Sequence, residues 1–422
     1  MATLWKWFLV FLTSWVVSFY LYPPLFTFLP GNAKLYLAVV GLVLMTMHIL
    51  RTRDYTLDRD LLRTLLIAGL YSVVNLFATN YNGFADYSYG NYITSALVWI
   101  FGAYTAVTAI RWTHGTVNLR LVTYYMAGIS AVQCLLALAI DNFEPVKTVV
   151  DSIFFVDQGF IEHTNRLYGI GAMLDPAGTR FAVILIFIAY VLSFDSVTRS
   201  RQSTINWLII SYIIIVAVGN MISRTTVVGI PFSLLLFAFS MGSWTEAIAH
   251  EQRRLYKAFF VTLLVAIPLG IFLYNTSDYF YTQMRYGFEG FFSLVEKGRW
   301  ETSSNNVLAT MWRWPETTEA WIIGYGEFGG FRFGTDIGYC RLILYSGVVG
   351  FSVFASMFIY QIYAFTRRYP YQMILFVFLA AMSFIIWIKV STDLFQFWAL
   401  LYVFRDEELL GPSFRRGLIA KI

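Results

Sequence analysis

The chain has 422 residues, of which 58% are hydrophobic, 19% aromatic and only 13% charged, with a net charge of +5. Soluble globular proteins contain roughly 45–50% apolar and about 25% charged residues, so this composition argues against a water-soluble domain and against a disordered chain. In a sequence this apolar, an excess of basic residues indicates how the chain is oriented in the membrane before it indicates binding to nucleic acid. No nucleic-acid motif accompanies it. The two cysteines provide neither a disulfide framework nor a metal-ligand spacing.

Apolar stretches recur along the whole chain, each near the 20 or so residues that cross a hydrocarbon core of roughly 30 Å as a helix. The sequence predicts an all-α polytopic membrane protein of about twelve transmembrane helices, with residues 1–422 forming a single bundle. The predicted spans lie near residues 4–22, 33–50, 61–78, 92–110, 121–140, 177–194, 205–222, 226–241, 258–274, 338–365, 372–390 and 394–404. The last is short, so eleven spans is the alternative. The first has no small-residue cleavage site and is expected to be retained.

The basic residues of the short loops lie on one side of this predicted map. Clusters of Arg and Lys follow the second, fourth, sixth, eighth and tenth spans, whereas the loop at residues 79–91 has none. Basic loops stay in the cytoplasm when a membrane protein inserts. We therefore predict that this side is cytoplasmic and that both termini lie on it.

Two loops on the predicted external side are long and charged. They comprise residues 141–176 and residues 275–337, and together they hold seven Lys and Arg residues. Loops of this length usually have a function, although long loops can also be translocated regardless of charge. The bundle is thus predicted to have an external cap and no appended soluble domain.

A first candidate site is an arginine between two apolar runs. Arg224 lies in Ser223-Arg224-Thr225, between the spans predicted at 205–222 and 226–241. This places a cation near the external boundary of the membrane, where charge is expensive and usually functional. Guanidinium groups bind phosphate oxygens in pairs, so an anion site is predicted. A snorkelling side chain at a helix end is the alternative.

Arg166 and Arg180 flank a second polar stretch. It contains glycines and Asp175-Pro176, a pair typical of a turn that enters a helix, because proline is tolerated in the first turn. Arginines near a helix N-terminus favour anions, so both are candidate anion ligands. An ion pair between Arg180 and Asp175 is the alternative.

The large external loop contributes Arg299 and a glycine-rich stretch. Gly324, Gly326 and Gly329 match the pattern G-x-G-x-x-G. As a dinucleotide fingerprint this pattern requires a preceding strand and a following helix in a soluble unit, and a membrane span follows here instead. We interpret the glycines as a tight bend that lets the backbone approach a substrate or another helix.

Asp336 and Arg341 lie at the start of the long span that follows this loop. Asp336 is a candidate general base, since a carboxylate that reaches a hydroxyl can take its proton; a helix cap is the alternative. Arg341 lies about one and a half turns further along the helix. No cluster of His, Cys and Glu indicates a metal and no P-loop is present, so no cofactor is predicted.

These pieces, in this order, resemble those of the O-antigen polymerase and O-antigen ligase superfamily, multi-span enzymes of bacterial surface-polysaccharide assembly. The resemblance covers about Arg166 to Phe351, and the N-terminal third matches in hydropathy alone. The matching pieces are Arg166-x-x-Gly169 with Asp175-Pro176, Ser223-Arg224-Thr225, Gly298-Arg299 with Pro315 and Gly324-x-Gly326, and Asp336 with Gly347-x-x-Gly350. Ligases of this superfamily carry His-Asn where this chain has Asp336-Ile337, which favours the polymerase branch.

The resemblance implies a bundle like that of C-type glycosyltransferases in the bacterial inner membrane, with its large loops in the periplasm. It implies transfer of a glycan from a polyprenyl diphosphate onto another lipid-linked repeat unit, without a nucleotide sugar or a bound metal. Cations would stabilise the charge that builds on the departing diphosphate. The residues assigned are Asp336, Arg224 and Arg299 as catalytic and Arg166, Arg180 and Arg341 as diphosphate ligands. Membrane lipid and a chain-length regulator are further partners that the resemblance allows.

Two alternatives stay open. An O-antigen ligase, which moves a finished glycan onto a lipid A core, is the rival within the enzyme class. A lipid-linked oligosaccharide flippase has a similar number of spans, but it should have internal symmetry and polar residues at mid-membrane in matching helices. The sequence has no half-to-half repeat and gathers its charges on one side.

Overall fold

The structure, a computed structural model, describes residues 2–53, 58–156, 166–240, 250–329 and 332–410. The first elements are α1 (Ala2–Leu21), β1 (Leu25–Phe26), α2 (Ala33–Thr52), α3 (Arg59–Tyr81), α4 (Tyr92–His114), α5 (Leu119–Asn142), α6 (Glu144–Ile153), β2 (Phe154–Phe155), α7 (Leu174–Phe194) and α8 (Ser196–Ser200). There follow α9 (Gln202–Ile222), a 3₁₀ helix (Arg224–Val228), α10 (Gly229–Ser240), α11 (His250–Thr276), α12 (Asp278–Gly287), α13 (Glu289–Lys297), α14 (Ser303–Ala309) and α15 (Thr318–Ile323). The last are α16 (Gly338–Arg368), a 3₁₀ helix (Pro370–Gln372), α17 (Met373–Ile386), α18 (Phe395–Val403) and α19 (Asp406–Leu410).

Nine of the helices in the described ranges are long and apolar enough to cross a membrane. They are α1 to α5, α7, α9, α11 and α16, and each coincides with a predicted span. The prediction of an all-α, multi-pass membrane protein is confirmed at this level. The other three predicted spans form shorter helices: α10 with 12 residues, α17 with 14 and α18 with 9. A helix of nine residues is only about 14 Å long, so the count of twelve crossings stays a prediction.

The chain divides into two compact units. The first comprises Met1–Leu37, Ala106–Trp300 and Phe404–Ile422, and the second Ala38–Thr105 and Glu301–Val403. The single bundle predicted for residues 1–422 stays a prediction. Both predicted external loops contain helices: α6 lies within residues 141–176, and α12 to α15 lie within residues 275–337.

Helix α7 is the centre of the first unit. Of its apolar window, 89% is buried, and α5, α9 and α10 pack against it, as expected for a helix that is apolar on every side. A Cβ at Gly229, where α10 begins, would lie 2.4 Å from the carbonyl oxygen of Ala182. Only glycine therefore allows α10 to approach α7 this closely. Strands β1 and β2 form a short antiparallel pair in the same unit.

The second unit is organised by α3 and α16, which pack antiparallel. The hydroxyls of Thr79 and Tyr345 are 2.9 Å apart near one end, and Tyr360 donates to Asp60 at 2.7 Å near the other. Helix α16 is broken at Ser346 and Gly347, where Gly347 has a φ of 64°. A break of this kind releases backbone carbonyls from the helical ladder, and within a membrane they need other partners.

The glycine-rich loop provides those partners. The amide of Tyr325 donates to the carbonyl of Leu344 at 2.7 Å, and the amide of Gly326 donates to that of Tyr345 at 2.8 Å. Gly324 has a φ of 84°, and a Cβ on it would lie 2.3 Å from the carbonyl oxygen of Tyr345. The interpretation of these glycines as a tight bend against another helix is confirmed.

We expect Gly347→Ala to destabilise the second unit, because alanine is strained at this φ and its Cβ would lie 2.1 Å from the carbonyl oxygen of Ile322. The free energy of unfolding should fall by about 2 kcal/mol or more, measured by thermal unfolding in nanodiscs. Gly69→Ala in α3 is the matched control, since nothing lies within 4 Å of its added Cβ, and it should be neutral or stabilising. Equal effects of the two substitutions would contradict this account of the break.

Candidate functional site

The break between α9 and the 3₁₀ helix is held by a carboxylate from α7. Oδ1 of Asp175 accepts hydrogen bonds from the hydroxyls of Ser223 at 3.0 Å and Thr225 at 2.6 Å. Asp175 lies in the first turn of α7, so the predicted entry of Asp-Pro into a helix is confirmed. A Cβ at Gly178 would lie 2.5 Å from the Ser223 hydroxyl, which lets the break pack directly on α7.

Arg224 follows this anchored turn and is largely buried. Its side chain is 12% exposed and forms an ion pair with Glu289, the first residue of α13. Its guanidinium carbon lies 4.6 Å from the centre of the Tyr286 ring, an arrangement that adds cation–π attraction in a desolvated place. This is not the exposed side chain that snorkelling would produce. The charge of Arg224 is thus balanced within the protein by a carboxylate and a ring, and its role as an anion ligand stays a prediction.

Arg166 and Arg180 belong to the same unit. Nε of Arg166 is buried and has no hydrogen-bond partner among the described residues. Arg180, on α7, lies close enough to the buried Tyr20 and Tyr22 to interact with them electrostatically. Their role as diphosphate ligands stays a prediction.

Arg299 lies beyond the other end of α13. It is exposed, follows Gly298, whose φ of 70° ends the helix, and its carbonyl accepts a hydrogen bond from Ser293 at 3.0 Å. The chain turns back after Gly298, because the Ser293 contact and the ring of Trp300, 2.4 Å from a Cβ placed on Gly290, bring residues 299 and 300 alongside the first turns of α13. The role of Arg299 as a catalytic residue stays a prediction.

Arg341 lies in the second unit, over an aromatic ring. Its guanidinium carbon is 4.1 Å from the centre of the Phe328 ring. The two residues line a small recess with Glu327 and Arg332, which form an ion pair of their own. This recess has two cations beside one carboxylate and two phenylalanine rings, and its volume of about 10 Å³ has room for about one water molecule.

Asp86 fixes the loop that forms this recess. Its Oδ2 accepts the amides of Phe328 at 2.5 Å and Gly329 at 2.8 Å, and its Oδ1 accepts the amide and hydroxyl of Ser88. Burial alone would raise the pKa of Asp86. The four hydrogen bonds outweigh burial and lower the pKa below its ordinary value.

Asp336 is exposed and lies one residue before the cap of α16. The cap position is Ile337, which makes no side-chain capping bond. The helix-cap alternative for Asp336 is therefore wrong. No described residue forms a hydrogen bond or ion pair with its carboxylate, so the carboxylate is accessible to a ligand, and its role as a base stays a prediction.

Sequence reasoning missed a carboxylate in the non-helical link between α17 and α18. Asp393 accepts a backbone amide at the start of α18 and lies within electrostatic reach of Tyr71, Tyr89 and Tyr92. Burial raises the pKa of Tyr89 to about 12, so its phenol keeps its proton at neutral pH. The available signal was the polar run at residues 391–393, which interrupts two apolar stretches. Glu289, also missed, had no such signal, because it lies in a polar loop 65 positions after Arg224.

No family model matches the chain, and no curated protein and no solved structure matches it either. Among the described residues, no group of three His, Cys, Asp or Glu side chains is placed to hold a metal ion.

We expect Asp86→Asn to lower stability at neutral pH but much less in acid. Because the folded-state pKa of Asp86 is lowered, its contribution is present above the pH near 4 at which an unfolded aspartate titrates. That contribution is lost as the pH falls through the folded-state pKa. The free energy of unfolding should drop by about 1 kcal/mol at pH 7, and the difference from wild type should shrink toward pH 3.

Unfolding midpoints between pH 7 and pH 3 would measure this. Asp336→Asn is the matched control, because its carboxylate is exposed and has no partner among the described residues. A constant difference between Asp86→Asn and wild type over the whole pH range would contradict the hydrogen-bonded carboxylate as its cause.

Proposed function

We propose that this protein is a surface-polysaccharide polymerase, a membrane glycosyltransferase that moves a glycan from a polyprenyl diphosphate onto a second lipid-linked repeat unit. The proposal includes about twelve membrane crossings, a C-type glycosyltransferase-like bundle, periplasmic large loops and cytoplasmic termini in a bacterial inner membrane. It rests on the motif order in the sequence and, above all, on the environment of Arg224.

Arg224 carries the proposal because it is a buried cation at a break between two apolar helices. Its side chain is 12% exposed, whereas that of Glu289 is 34% exposed. The carboxylate therefore has a path to solvent that the guanidinium does not. A diphosphate carries at least two negative charges and accepts paired hydrogen bonds from a guanidinium. It would replace Glu289, which would turn outward, and Arg224 would stay in place.

The proposed reaction is a displacement at the anomeric carbon of the donor. The bond from that carbon to the diphosphate oxygen breaks, and its electron pair stays on the diphosphate. A hydroxyl oxygen of the acceptor sugar forms the new bond, and its proton passes to a base, for which we propose Asp336. Arg224 stabilises the charge on the leaving group, with Arg299, Arg166, Arg180 and Arg341 as further proposed ligands of the diphosphates.

Reconstitution tests the activity directly. Purified protein in nanodiscs would receive a polyprenyl-diphosphate-linked repeat unit, and the products would be separated by gel. A ladder of evenly spaced lengths is the expected result. Transfer that occurs only after a lipid A core acceptor is added would identify a ligase, and movement of the donor across a vesicle membrane without transfer would identify a flippase. Either result would overturn the polymerase.

We expect Arg224→Gln to lower the rate of polymerisation by about 10²–10³-fold, the usual effect of removing one stabilising donor from a transition state. Arg224→Lys should recover little, since lysine lacks the planar fork. The readout is the rate of ladder formation in nanodiscs at saturating donor.

Arg285→Gln is the matched control for Arg224. Arg285 also pairs with a carboxylate, Glu296, and also lies over a ring, that of Phe292 at 4.7 Å, but its side chain is 36% exposed. Its activity should stay within about threefold of wild type, as expected for an exposed ion pair. Equal loss in both variants would mean that the arginines only support the fold.

We expect Asp336→Asn to abolish chain growth while donor binding is retained, because asparagine cannot accept the proton. Equilibrium binding of the labelled donor and single-turnover transfer would be measured separately. Asp393→Asn is the comparison, since Asp393 is a carboxylate of the same unit that lies within electrostatic reach of three tyrosines. Full activity of Asp336→Asn together with loss in Asp393→Asn would move the role of the base to Asp393.

A further inference from the structure

A pocket of about 380 Å³ lies at one end of the α3–α16 pair. It is formed by the first turn of α3 and the last two turns of α16, and it is lined by Asp58, Arg59, Asp60, Tyr363, Arg367 and Arg368. Three arginines and two aspartates give these walls a net charge of +1. The pocket lies where two apolar helices of spanning length meet, at the end of α16 opposite to Asp336.

Both carboxylates of the pocket are already engaged. Oδ1 of Asp58 caps α3 by accepting the amides of Asp60 and Leu61, and Oδ2 forms an ion pair with Arg368. Oδ1 of Asp60 accepts the hydroxyl of Tyr360 at 2.7 Å. The hydrogen bonds from Arg368 and the two amides outweigh burial, which alone would raise the pKa of Asp58, and hold it below its ordinary value. Asp58 therefore stays charged at neutral pH, and both carboxylates are held in place by these bonds.

Two arginines of the pocket remain available to a ligand. Arg59 is exposed and forms no hydrogen bond or ion pair with a described residue. Arg367 has, within the part of the chain that the structure describes, only a long contact of 3.4 Å to the hydroxyl of Tyr363. Two guanidinium groups without a carboxylate partner, facing one cavity, are the arrangement that binds a phosphate group.

An exposed apolar surface continues from the pocket along both helices. On α16, Ile359 and Tyr363 are 57% and 56% exposed and stand at the four-residue spacing that leads to Arg367. On α3, Leu62 and Leu66 are 46% and 64% exposed. The phosphate-binding pocket and this exposed apolar surface together match a molecule with an anionic head and long hydrocarbon chains. A free phosphate ion would make no contact with the apolar surface.

We propose that this pocket binds one anionic glycerophospholipid, with its phosphate between Arg59 and Arg367 and its acyl chains along the exposed faces of α3 and α16. The excess positive charge selects an anionic lipid over a zwitterionic one. Because α3 and α16 form the main contact of the second unit, the bound lipid bridges the two helices and stabilises their packing. The proposal does not depend on the chemistry at Arg224.

Native mass spectrometry of the full-length protein tests this. The protein would be titrated with phosphatidylglycerol, with phosphatidylcholine and with inorganic phosphate. We expect one phosphatidylglycerol to be retained more tightly than phosphatidylcholine, and roughly 30-fold weaker retention in Arg59→Gln/Arg367→Gln, since each arginine near an anionic headgroup contributes on the order of fivefold. Thermal unfolding should show that phosphatidylglycerol stabilises wild type and not the variant.

The matched control removes two exposed arginines of the same predicted side that do not line the pocket, Arg51 and Arg201. Arg51→Gln/Arg201→Gln should retain the lipid like wild type. Equal weakening in both double variants would mean attraction by net charge alone and would overturn the site. Competition by millimolar phosphate would also overturn it, because the pocket would then bind a free anion. The single variant Arg59→Gln, at an exposed position, covers the case in which the double variant fails to fold.

Discussion

Inside a membrane every backbone N–H and C=O group needs a hydrogen-bond partner within the protein. This constraint explains which segments pack against the two interrupted helices. Between α9 and the 3₁₀ helix, the hydroxyl of Ser223 accepts the amide of Thr225 and itself donates to Asp175 of α7. Within α16, amides of the glycine-rich loop bond to the carbonyls of Leu344 and Tyr345. Each interruption is thus tied to a segment distant in sequence, and each lies beside a candidate arginine, Arg224 in one unit and Arg341 in the other.

Charge in this protein is placed under the same constraint. The buried Arg224 has Glu289 and the ring of Tyr286, and Arg341 has the ring of Phe328. Burying a cation without compensation would be strongly unfavourable, so such side chains are already surrounded before any ligand arrives. For a site of this kind, ligand binding is an exchange of partners. The affinity for a ligand then depends on how much more strongly the guanidinium binds the ligand's anion than the carboxylate it already holds, and not on the full strength of either contact.

Much of the fold could be predicted from the sequence, because hydropathy over about 20 residues is a strong local signal. Within the described ranges, all nine helices of spanning length coincide with predicted spans, and the bend at Gly324 and Gly326 followed from the conformational freedom of glycine. The short α18 was harder to predict, since an apolar run of nine residues resembles the end of a span.

The composition of the candidate site could be predicted only in part. The sequence singled out Arg224 by its polar neighbours, but it contained no sign of its partner Glu289. It also contained no sign of the hydrogen bonds from the amides of Phe328 and Gly329 to Asp86, which lies more than 200 positions earlier in the chain. Contacts between loops depend on tertiary packing and produce no periodic pattern in the sequence. Asp336 was expected either to cap α16 or to act as a base, and only the structure excludes the cap, because Asp336 lies one residue before the cap position.

The pairing of α3 with α16 has a consequence for biogenesis. Thr79 and Thr64, both buried on α3, bond to Tyr345 and Tyr402, which follow them by 266 and 338 residues. At a synthesis rate of about 5–20 residues per second, α3 waits roughly 15–50 s for Tyr345 to leave the ribosome. Throughout that interval its polar face is in the membrane without its final partner. The contacts that complete the packing of α3 can therefore form only late in synthesis, and the rate of translation sets how late.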